Sequence, residues 1–301
     1  MLQCVLSNMN GEYAKNMSGI LYVIPTPIGN LDDISPRVVD ALTQSDVVAA
    51  EDTRNTLNLL NYLEIKTPLI SNHKFNEMQK TSVFIERLKN GENVALVSDA
   101  GTPCISDPGY ILVNAAVQEG IEVIGICGPC AATTALSITG FNADTFTFMG
   151  FFPRKEQLIK DCINKSIKGQ VPILIFYESP KRIVKTMEVL SEIIPDANIC
   201  LCNDLTKKFE KKYRGTPSEV HAELLANPNH EKGEYALVIE LNKELFEEDG
   251  DDKLSAEAAL IDAIFKNDCD LKEAMKIVSD NGDYSRNELY KASLNLKNLE
   301  L

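Results

Sequence analysis

One stretch of the sequence joins an apolar run to a loop of residue types that bind ligands. The run Val94–Val97 ends abruptly in a loop rich in Asp, Gly, Pro and Ser, residues 98–109. Gly101 lets a ligand approach the backbone closely, and Asp99 and Asp107 offer hydrogen-bond acceptors. The loop contains no Lys and no GxGxxG pattern, so a phosphate fits it poorly. These residue types predict a neutral or cationic ligand.

Similar polar clusters follow other short apolar runs in the first half of the chain. They occupy residues 25–30, 51–54 and 73–77. In a parallel sheet the carboxyl ends of the strands face one crevice, where open α/β sheets bind ligands. Charge that served only solubility would be spread over both ends of the sheet and over helix faces. The coincidence of the clusters therefore favours a functional crevice.

The elements that position these clusters follow from the apolar pattern. Short β-rich runs alternate with helical patterns five times over about 130 residues, which is typical of a parallel α/β sheet. Five strands are expected at residues 20–24, 46–50, 69–71, 94–97 and 123–126, and four more at 145–149, 171–177, 198–203 and 235–241. The predicted fold class is α/β.

The same pattern divides the chain into four parts. Residues 1–18 are interpreted as a disordered N-terminal extension, or as the artefact of a start codon placed too early. Residues 19–142 and 143–243 are predicted to form two α/β domains. Residues 244–301 contain an acidic linker and three short helical patterns resembling a helix-turn-helix layout. Their net charge of −8 makes DNA binding a weak inference, and a packing or dimerisation element is an equal alternative.

Charge and cysteine content narrow the class of protein. The 301 residues carry a net charge of −14, which argues against sequence-independent adhesion to nucleic acid. Residues 154–214 are the exception, with 13 basic and 8 acidic side chains. No apolar run approaches the roughly 20 residues needed to cross a bilayer. Cysteines inside apolar runs indicate reduced thiols in a cytoplasmic protein, and the positions of the three histidines argue against a metal site.

Six motifs, in order, resemble those of the tetrapyrrole methylase superfamily. They are Thr26-Pro27-Ile28-Gly29-Asn30-Leu31, Ala50-Glu51-Asp52-Thr53-Arg54, Ser98-Asp99-Ala100-Gly101-Thr102-Pro103, Ser106-Asp107-Pro108-Gly109, Tyr177-Glu178-Ser179-Pro180-Lys181-Arg182 and Gly233-Glu234-Tyr235-Ala236. They are more closely similar to the branch of that superfamily that methylates the ribose 2′-hydroxyl of a cytidine in the decoding centre of 16S rRNA. The resemblance runs from about residue 19 to about residue 241.

The resemblance implies a two-domain α/β methyltransferase that uses S-adenosylmethionine and forms a homodimer. Its partner would be 16S rRNA in the 30S subunit, and its cofactor would lie in the cleft between the domains. The cofactor-binding residues that the resemblance implies are Pro27, Asp99, Ala100, Gly101, Ile105, Ser106, Cys130 and Ala131, with Glu178 and Ala236 from the second domain.

The chain departs from the family pattern at three places. The segment beginning at His73 has one histidine where the family has two, which weakens any scheme in which both histidines act. Cys130 stands where the family has a serine, a change expected to be mild because a thiol is close to a hydroxyl in size. Asn203 and Asp204 stand where the family has Arg-Glu, which removes a cation that could contact RNA.

Methylation of a ribose hydroxyl requires loss of its proton, and this hydroxyl is a weak acid. The candidate catalytic residues are Asp52, Arg54, His73, Glu77 and Glu178. The carboxylates and the imidazole are candidate bases, and Arg54 would hold a phosphate or polarise the oxygen. Two alternatives stay open: Asp52 and Arg54 pair with each other to shape their loop, and His73 is a hydrogen-bonded histidine at a strand end.

The basic segment supplies candidates for RNA contact. These are Arg154, Lys155, Lys181, Arg182, Lys207 and Lys208, with Phe151, Phe152 and Tyr177 as aromatic residues able to stack on an unpaired base. The alternative is a solvated basic face above aromatic residues that belong to the core.

Two other functions remain open from the sequence. One is a small-molecule methyltransferase that acts on a tetrapyrrole precursor, as other branches of the superfamily do. The other is a non-catalytic ribosome-binding protein that keeps the same fold.

Overall fold

The computed structural model describes residues 18–242, 254–282 and 284–297. The chain divides into two compact units, one up to Asn242 and one from residue 243 onward. The predicted N-terminal extension, apart from Ser18, and the predicted acidic linker at residues 244–252 lie outside the described residues. The predicted domain boundaries stay a prediction.

The first sheet is built entirely from parallel strands, as the alternating pattern predicted. Its strands are β1 (Leu21–Val23), β2 (Val47–Ala50), β3 (Leu69–Ser71), β4 (Val94–Val97) and β5 (Val123–Gly125), and their order across the sheet is β3-β2-β4-β1-β5. The helices that follow them are α1 (Pro36–Thr43), α2 (Thr53–Tyr62), α3 (Glu77–Lys89), α4 (Tyr110–Gln118) and α5 (Ala131–Ser137).

The first sheet is covered on both faces, which explains its continuous apolar strands. Every residue of β2 and β4 is buried, because each face packs against a pair of helices. Leu42 of α1 and Leu60 of α2 lie in the core on one face. Phe84 of α3 and Leu112 of α4 lie in the core on the other. The carboxyl ends of the strands remain open between the helix pairs.

The second sheet is mixed. Its strands are β6 (Thr147–Phe151), β7 (Ile173–Glu178), β8 (Asn198–Asn203), β9 (Lys211–Gly215) and β10 (Tyr235–Glu240), in the order β6-β7-β10-β8-β9. Only the β6–β7 pair is parallel, and the other pairs are antiparallel. Helices α6 (Glu156–Lys168), α7 (Ile183–Ile193) and α8 (Pro217–Ala226) complete this part of the chain.

Strand β9 was not expected from the sequence. Its residues Lys-Lys-Tyr-Arg-Gly were interpreted as a basic segment after a strand, whereas they pair with β8 at the edge of the sheet. Tyr213 is the buried side chain among them, and its hydroxyl accepts a hydrogen bond from Asn227 at 2.8 Å. An edge strand needs little apolar surface, so the polar composition of β9 gave no apolar pattern from which a strand could be predicted.

Helix α5 links the two sheets. It follows β5 of the first sheet, yet its buried residues Ala132, Ala135 and Leu136 belong to the core formed with β7, β8 and β10. Small side chains on this face let the helix lie close to the second sheet. The segment just before α5 therefore passes from one sheet to the other.

The second unit contains three helices, as its pattern predicted. They are α9 (Ala256–Asn267), α10 (Leu271–Asp280) and α11 (Arg286–Lys297). Leu260, Val278 and Leu289 come from the three helices and share one core. Among the described residues of both units, no helix has the length and apolarity required to cross a membrane.

Candidate active site

A cavity of about 410 Å³ lies where the strand ends of the first sheet meet the second sheet. Its volume is within the range of small-molecule sites in proteins. The first sheet and its loops contribute Ile28, Glu51, Asp99, Ala100, Gly101, Thr102, Ile105, Ser106, Asp107, Cys130 and Ala131. The second contributes Phe151, Tyr177, Glu178, Ser179, Pro180, Cys202, Leu205, Glu234, Tyr235 and Ala236.

The loop after β4 forms much of one wall, and hydrogen bonds to neighbouring loops hold it. The backbones of Thr26 and Gly101 exchange two hydrogen bonds of 2.9 Å, and Gly101 has a φ of +82°. The hydroxyl of Thr102 donates to the carbonyl of Pro129 at 2.9 Å. The loops after β1, β4 and β5 are thereby joined before any ligand is present.

Glu77 holds the far end of the same loop. Its buried carboxylate accepts hydrogen bonds from the backbone amides of Gly109 at 2.8 Å and Ile111 at 3.0 Å. Cys104 and Ser106 have φ values of +70° and +67°, an unfavourable conformation for residues with a side chain. Tethering at both ends stabilises this conformation, which presents residues 105–107 to the cavity.

Three carboxyl groups face the cavity from the loops of the first sheet. Asp99 accepts hydrogen bonds from the amide of Asp52 and from Asn55, each at 3.0 Å, and Glu51 accepts one from the amide of Asp99 at 3.2 Å. Burial raises the pKa of Glu51. Burial, reinforced by the negative charges of Glu51 and Asp99, raises the pKa of Asp107 to about 7. This wall favours a positively charged ligand.

Tyr177 forms the opposite wall. Its hydroxyl accepts a hydrogen bond from the amide of Ala132 at 3.1 Å, which ties β7 to the start of α5. The rings of Phe148 and Phe151 meet the Tyr177 ring edge-on, with centroids at 4.9 and 5.6 Å. Burial raises the pKa of Tyr177, so the phenol stays neutral. This side of the cavity is flat and apolar.

The structure brings nine of the ten predicted cofactor residues to the cavity. They are Asp99, Ala100, Gly101, Ile105, Ser106, Cys130, Ala131, Glu178 and Ala236. Pro27 is the exception, and it lies between Thr26, which pairs with Gly101, and Ile28, which lines the cavity. Their role in binding a cofactor stays a prediction.

Asp52 and Arg54, two of the predicted catalytic residues, form an ion pair at the start of α2. Asp52 accepts hydrogen bonds from the Arg54 amide at 2.8 Å and from its guanidinium at 3.0 and 2.6 Å. These bonds hold the pKa of Asp52 at about 2. Neither residue lines the cavity. Asp52 nonetheless contacts the site through its amide, which donates to Asp99.

His73 and Glu77, two further catalytic candidates, also lie outside the cavity lining. The His73 Nδ1 accepts a hydrogen bond from the amide of Phe75 at 3.2 Å. The carboxylate of Glu77 accepts hydrogen bonds from two backbone amides, which fixes the loop rather than leaving the group facing a ligand. Their placement is that of residues that shape loops.

Glu178 and Arg182, predicted respectively for catalysis and RNA contact, form a buried clamp. One Glu178 oxygen accepts from the Ser179 amide at 2.7 Å, and the other accepts from Thr186 at 2.8 Å and lies 3.2 Å from Arg182. Arg182 donates to the carbonyls of Phe152 at 3.3 Å and Pro153 at 2.6 Å. Both oxygens of the Glu178 carboxylate are therefore engaged by protein groups.

The remaining basic residues that were predicted to contact RNA differ in their exposure to solvent. Lys207 is half-buried and bridges Asp204 and Glu234, each at 2.8 Å. Arg154, Lys155, Lys181 and Lys208 are exposed. The Lys208 ammonium lies 5.6 Å from the ring centroid of Phe209, which is also exposed. Of the aromatic candidates, Phe151 is exposed at the cavity. Phe152 is buried, and its ring stacks on that of Phe176 with the ring centroids 3.8 Å apart.

The predicted catalytic and cofactor residues omit several members of the cavity lining, among them the titratable residues Glu51, Asp107 and Tyr177. Glu51 follows β2 directly, Asp107 belongs to the loop already singled out, and Tyr177 opens a recognised motif. The sequence feature that could have identified these residues was their position after a strand or within a motif. Burial and the nearness of the two carboxyl groups, which the sequence does not reveal, separate them from other polar residues.

Comparison with known proteins places the chain in a family. The family Tetrapyrrole (Corrin/Porphyrin) Methylases matches residues 20–221. Ribosomal RNA small subunit methyltransferase I from Haemophilus influenzae is 39% identical over 280 residues, covering 93% of this chain and 98% of that protein. The protein of the same name from Bacillus subtilis is 39% identical over 280 residues, covering 92% and 95%. The chain belongs to the ribosomal RNA small subunit methyltransferase I family.

Membership confirms the resemblance found in the sequence and makes the chain a methyltransferase of the tetrapyrrole methylase type. Solved structures share the fold. Diphthine synthase superposes with a TM-score of 0.59 at 15% identity, covering 76% of this chain and 94% of that chain. The methyltransferase CobJ superposes with a TM-score of 0.54 at 17% identity, covering 74% and 95%. At such identities the likeness shows the fold alone.

A metal centre is not evident in the part of the chain that the structure describes. Within residues 18–242, 254–282 and 284–297, no group of three or more His, Cys, Asp or Glu side chains is arranged to hold an ion.

The clamp role of Arg182 predicts a stability effect that a role in RNA contact alone would not produce. Arg182→Ala removes bonds to the carbonyls of Phe152 and Pro153 and leaves the buried Glu178 carboxylate without its partly exposed cation, so we expect it to lower the free energy of unfolding by about 1–3 kcal/mol. Lys181→Ala, the matched control on an exposed neighbour, should change it by less than about 0.5 kcal/mol. Urea unfolding followed by circular dichroism measures both, and equal stabilities would contradict the clamp.

Proposed function

We propose that the protein transfers a methyl group from S-adenosylmethionine to the ribose 2′-hydroxyl of a cytidine in the decoding centre of 16S rRNA. The observation that carries the proposal is 39% identity over almost the whole chain to relatives named ribosomal RNA small subunit methyltransferase I. The substrate would be the 30S subunit, which places the reaction in the cytoplasm.

The cavity supports the cofactor part of the proposal. S-adenosylmethionine carries a sulfonium and an ammonium cation, and Glu51 and Asp99 supply negative charge on one wall. Ala100, Gly101, Ala131 and Ala236 leave room for a flat ring, since none of them projects a long side chain into the space. When bound, the cofactor would supply an electrophilic methyl group.

The residues that would hold the cofactor are those that line this space. We assign this role to Pro27, Asp99, Ala100, Gly101, Ile105, Ser106, Cys130, Ala131 and Ala236, with Glu178 contributing its backbone. Their loops are tethered before binding, so little ordering is needed when a ligand enters. Positioning of this kind lowers the barrier to a displacement reaction by aligning the reacting atoms.

Four of the catalytic candidates act by positioning in this proposal. Asp52 orients Asp99 through its amide, and Arg54 fixes Asp52. Glu77 holds the loop of residues 105–107, and His73 caps the turn that leads into α3. None of the four needs to touch the ribose.

The exposed cations support contact with RNA. Arg154, Lys155, Lys181 and Lys208 belong to the segment of net positive charge, and Lys208 lies beside the exposed ring of Phe209. Leu205, three residues before Lys208, lines the cavity, which puts this cation on a loop bordering the site. Lys207 and Arg182 would act indirectly, because their polar atoms already bind protein groups.

The central prediction is transfer of label from methyl-tritiated S-adenosylmethionine to 30S subunits that lack the modification. We expect the label in 16S rRNA, on a cytidine ribose, as mapped by nuclease digestion and mass spectrometry. Label that enters only a tetrapyrrole precursor would overturn the proposal in favour of a small-molecule methyltransferase. Cofactor binding with no transfer to either substrate would favour a non-catalytic ribosome-binding protein.

A matched pair of variants ties that transfer to the cavity. Ala131→Leu adds three carbon atoms to the lining, so the dissociation constant for S-adenosylmethionine should rise at least tenfold by calorimetry. Thr133→Leu lies on an exposed position of the same helix and should bind as the wild type does. Equal affinity of the two variants would contradict the assigned cofactor site.

The role of the exposed cations predicts a charge effect that depends on salt. Lys208→Glu should weaken 30S binding and should reduce the slope of log affinity against log salt by about 1 or more, because a phosphate contact is lost. Lys66→Glu alters an exposed lysine between α2 and β3, at the opposite end of the first sheet, and should leave the slope unchanged. Filter binding between about 50 and 300 mM salt measures both slopes. Parallel slopes for the two variants would exclude Lys208 from the interface.

We also propose a homodimer, formed through the surface around the starts of α3 and α4. Phe75, Met78 and Tyr110 are 92, 78 and 69% exposed there, and a cluster of large apolar side chains on a surface marks an interface. A second copy is the occupant that the family resemblance implies. Light scattering should give twice the mass of one chain for the wild type and for Leu225→Lys, and the mass of one chain for Met78→Lys. A monomeric wild type, or a dimeric Met78→Lys, would contradict this interface.

A further inference from the structure

One carboxyl group at the cavity differs from the others in its hydrogen bonds. Within residues 18–242 the structure shows no backbone amide that donates to Asp107, whereas Asp99, Glu51 and Glu178 each accept at least one. Glu234 also lines the cavity, but its carboxylate accepts from the ammonium of Lys207 at 2.8 Å. The hydroxyl of Ser98 lies within hydrogen-bonding range of Asp107, but its single proton is also directed at the carbonyl of Gly101 at 3.3 Å. Asp107 thus retains lone pairs for a ligand.

The surroundings of Asp107 disfavour its charged form. It is half-buried, and the titratable groups that face it are Glu51 after β2, Asp99 after β4, Cys104 in its own loop and Tyr177 on β7. Within that set no group carries a positive charge. Burial and the two neighbouring carboxylates raise the pKa of Asp107 to about 7, near the pH at which a general base works best.

The other groups on the cavity wall are less suited to accept a proton. Asp99 accepts from the amide of Asp52 and from Asn55, and the two Glu178 oxygens accept from Ser179 and Thr186. The Tyr177 hydroxyl already accepts from Ala132, and burial keeps the phenol neutral. Glu51 accepts from the amide of Asp99, and Glu234 pairs with Lys207. Asp107 remains as the acidic group of the lining that receives neither a backbone amide nor a cation.

We propose that Asp107 accepts the proton of the ribose 2′-hydroxyl during methyl transfer. The inference rests on the proposed function. Asp107 takes the proton as the hydroxyl oxygen forms its bond to the methyl carbon. The carbon–sulfur bond of the donor breaks in the same step, and its electron pair stays on sulfur, which becomes a neutral thioether. The proton then passes from Asp107 to water when the products leave.

Asp107→Asn tests this assignment, because the amide matches the carboxyl in shape but cannot accept the proton. We expect kcat for methylation of 30S subunits to fall by about 10²–10⁴-fold. The dissociation constant for S-adenosylmethionine and the KM for 30S subunits should each change by less than threefold. Asp107→Glu should recover part of kcat. Asp144→Asn, on an exposed carboxyl away from the cavity, should leave all three quantities unchanged.

The pH dependence separates proton transfer from a purely structural role. The wild-type log kcat/KM should rise with pH at unit slope and level off above about pH 7, since the base must be ionised in the free protein. The Asn variant should lose this inflection. A merely structural role would lower kcat without altering the shape of the profile.

A readout independent of activity checks the titration itself. Folding raises the pKa of Asp107, so between about pH 4 and 7 the folded state binds more protons than the unfolded state, and stability falls as pH rises. Asp107→Asn removes that contribution. Its melting temperature relative to the wild type should therefore increase from pH 5 to pH 8.

Each outcome decides one claim. A wild type that does not methylate 30S subunits overturns the proposed function. If the wild type is active, an Asn variant with wild-type kcat overturns the inference alone. An Asn variant whose loss of activity equals its loss of cofactor affinity also overturns it, because Asp107 would then be a cofactor-binding residue.

Discussion

The site depends on which protein groups form hydrogen bonds with the backbone of residues 98–109. An unpaired buried amide or carbonyl costs about 1–3 kcal/mol, so a loop with four positive φ angles persists only if other elements supply its hydrogen bonds. Glu77 binds the amides of Gly109 and Ile111, and Thr26 pairs with Gly101. These partners come from α3 and from the loop after β1. The shape of the loop therefore depends on contacts with distant segments of the first sheet and its helices, which hold the groups facing the cavity in place before any ligand binds.

The same constraint divides the carboxyl groups near the cavity into two kinds. Glu77 accepts from backbone amides, and Glu178 accepts from a backbone amide and pairs with Arg182, so each holds a segment in place. Asp99 has features of both kinds, since it accepts hydrogen bonds from Asp52 and Asn55 and also borders the cavity. Burial, reinforced by the negative charges of Glu51 and Asp99, raises the pKa of Asp107, and no backbone amide donates to it to offset this. The number of N–H groups that point at a carboxylate, rather than its place in a motif, sets what the group can do.

The extent to which the sequence predicts this molecule follows from the same physics. Strands of the first sheet are apolar on both faces, so β2 and β4 were recognisable from composition alone. Strand β9 was missed because an edge strand with one buried residue, Tyr213, has no such signature. The motifs located the cavity, since nine of ten predicted cofactor residues line it. They did not separate a carboxylate that binds amides, such as Glu77, from one that faces the cavity, such as Asp107, because that distinction depends on contacts between distant segments.

The arrangement of charge reconciles an acidic chain with the polyanionic substrate of the proposed function. Exposed charges act over about 8 Å at physiological ionic strength, so acidic surfaces farther away contribute little at a given phosphate. Near the cavity, Lys207 neutralises Asp204 and Glu234, and Arg182 neutralises Glu178. Each of these engaged cations stands beside an exposed one in the sequence, Lys208 and Lys181. The pairs remove repulsion where RNA would approach, and their neighbours supply attraction, so a local surface can bind phosphate although the whole chain carries a charge of −14.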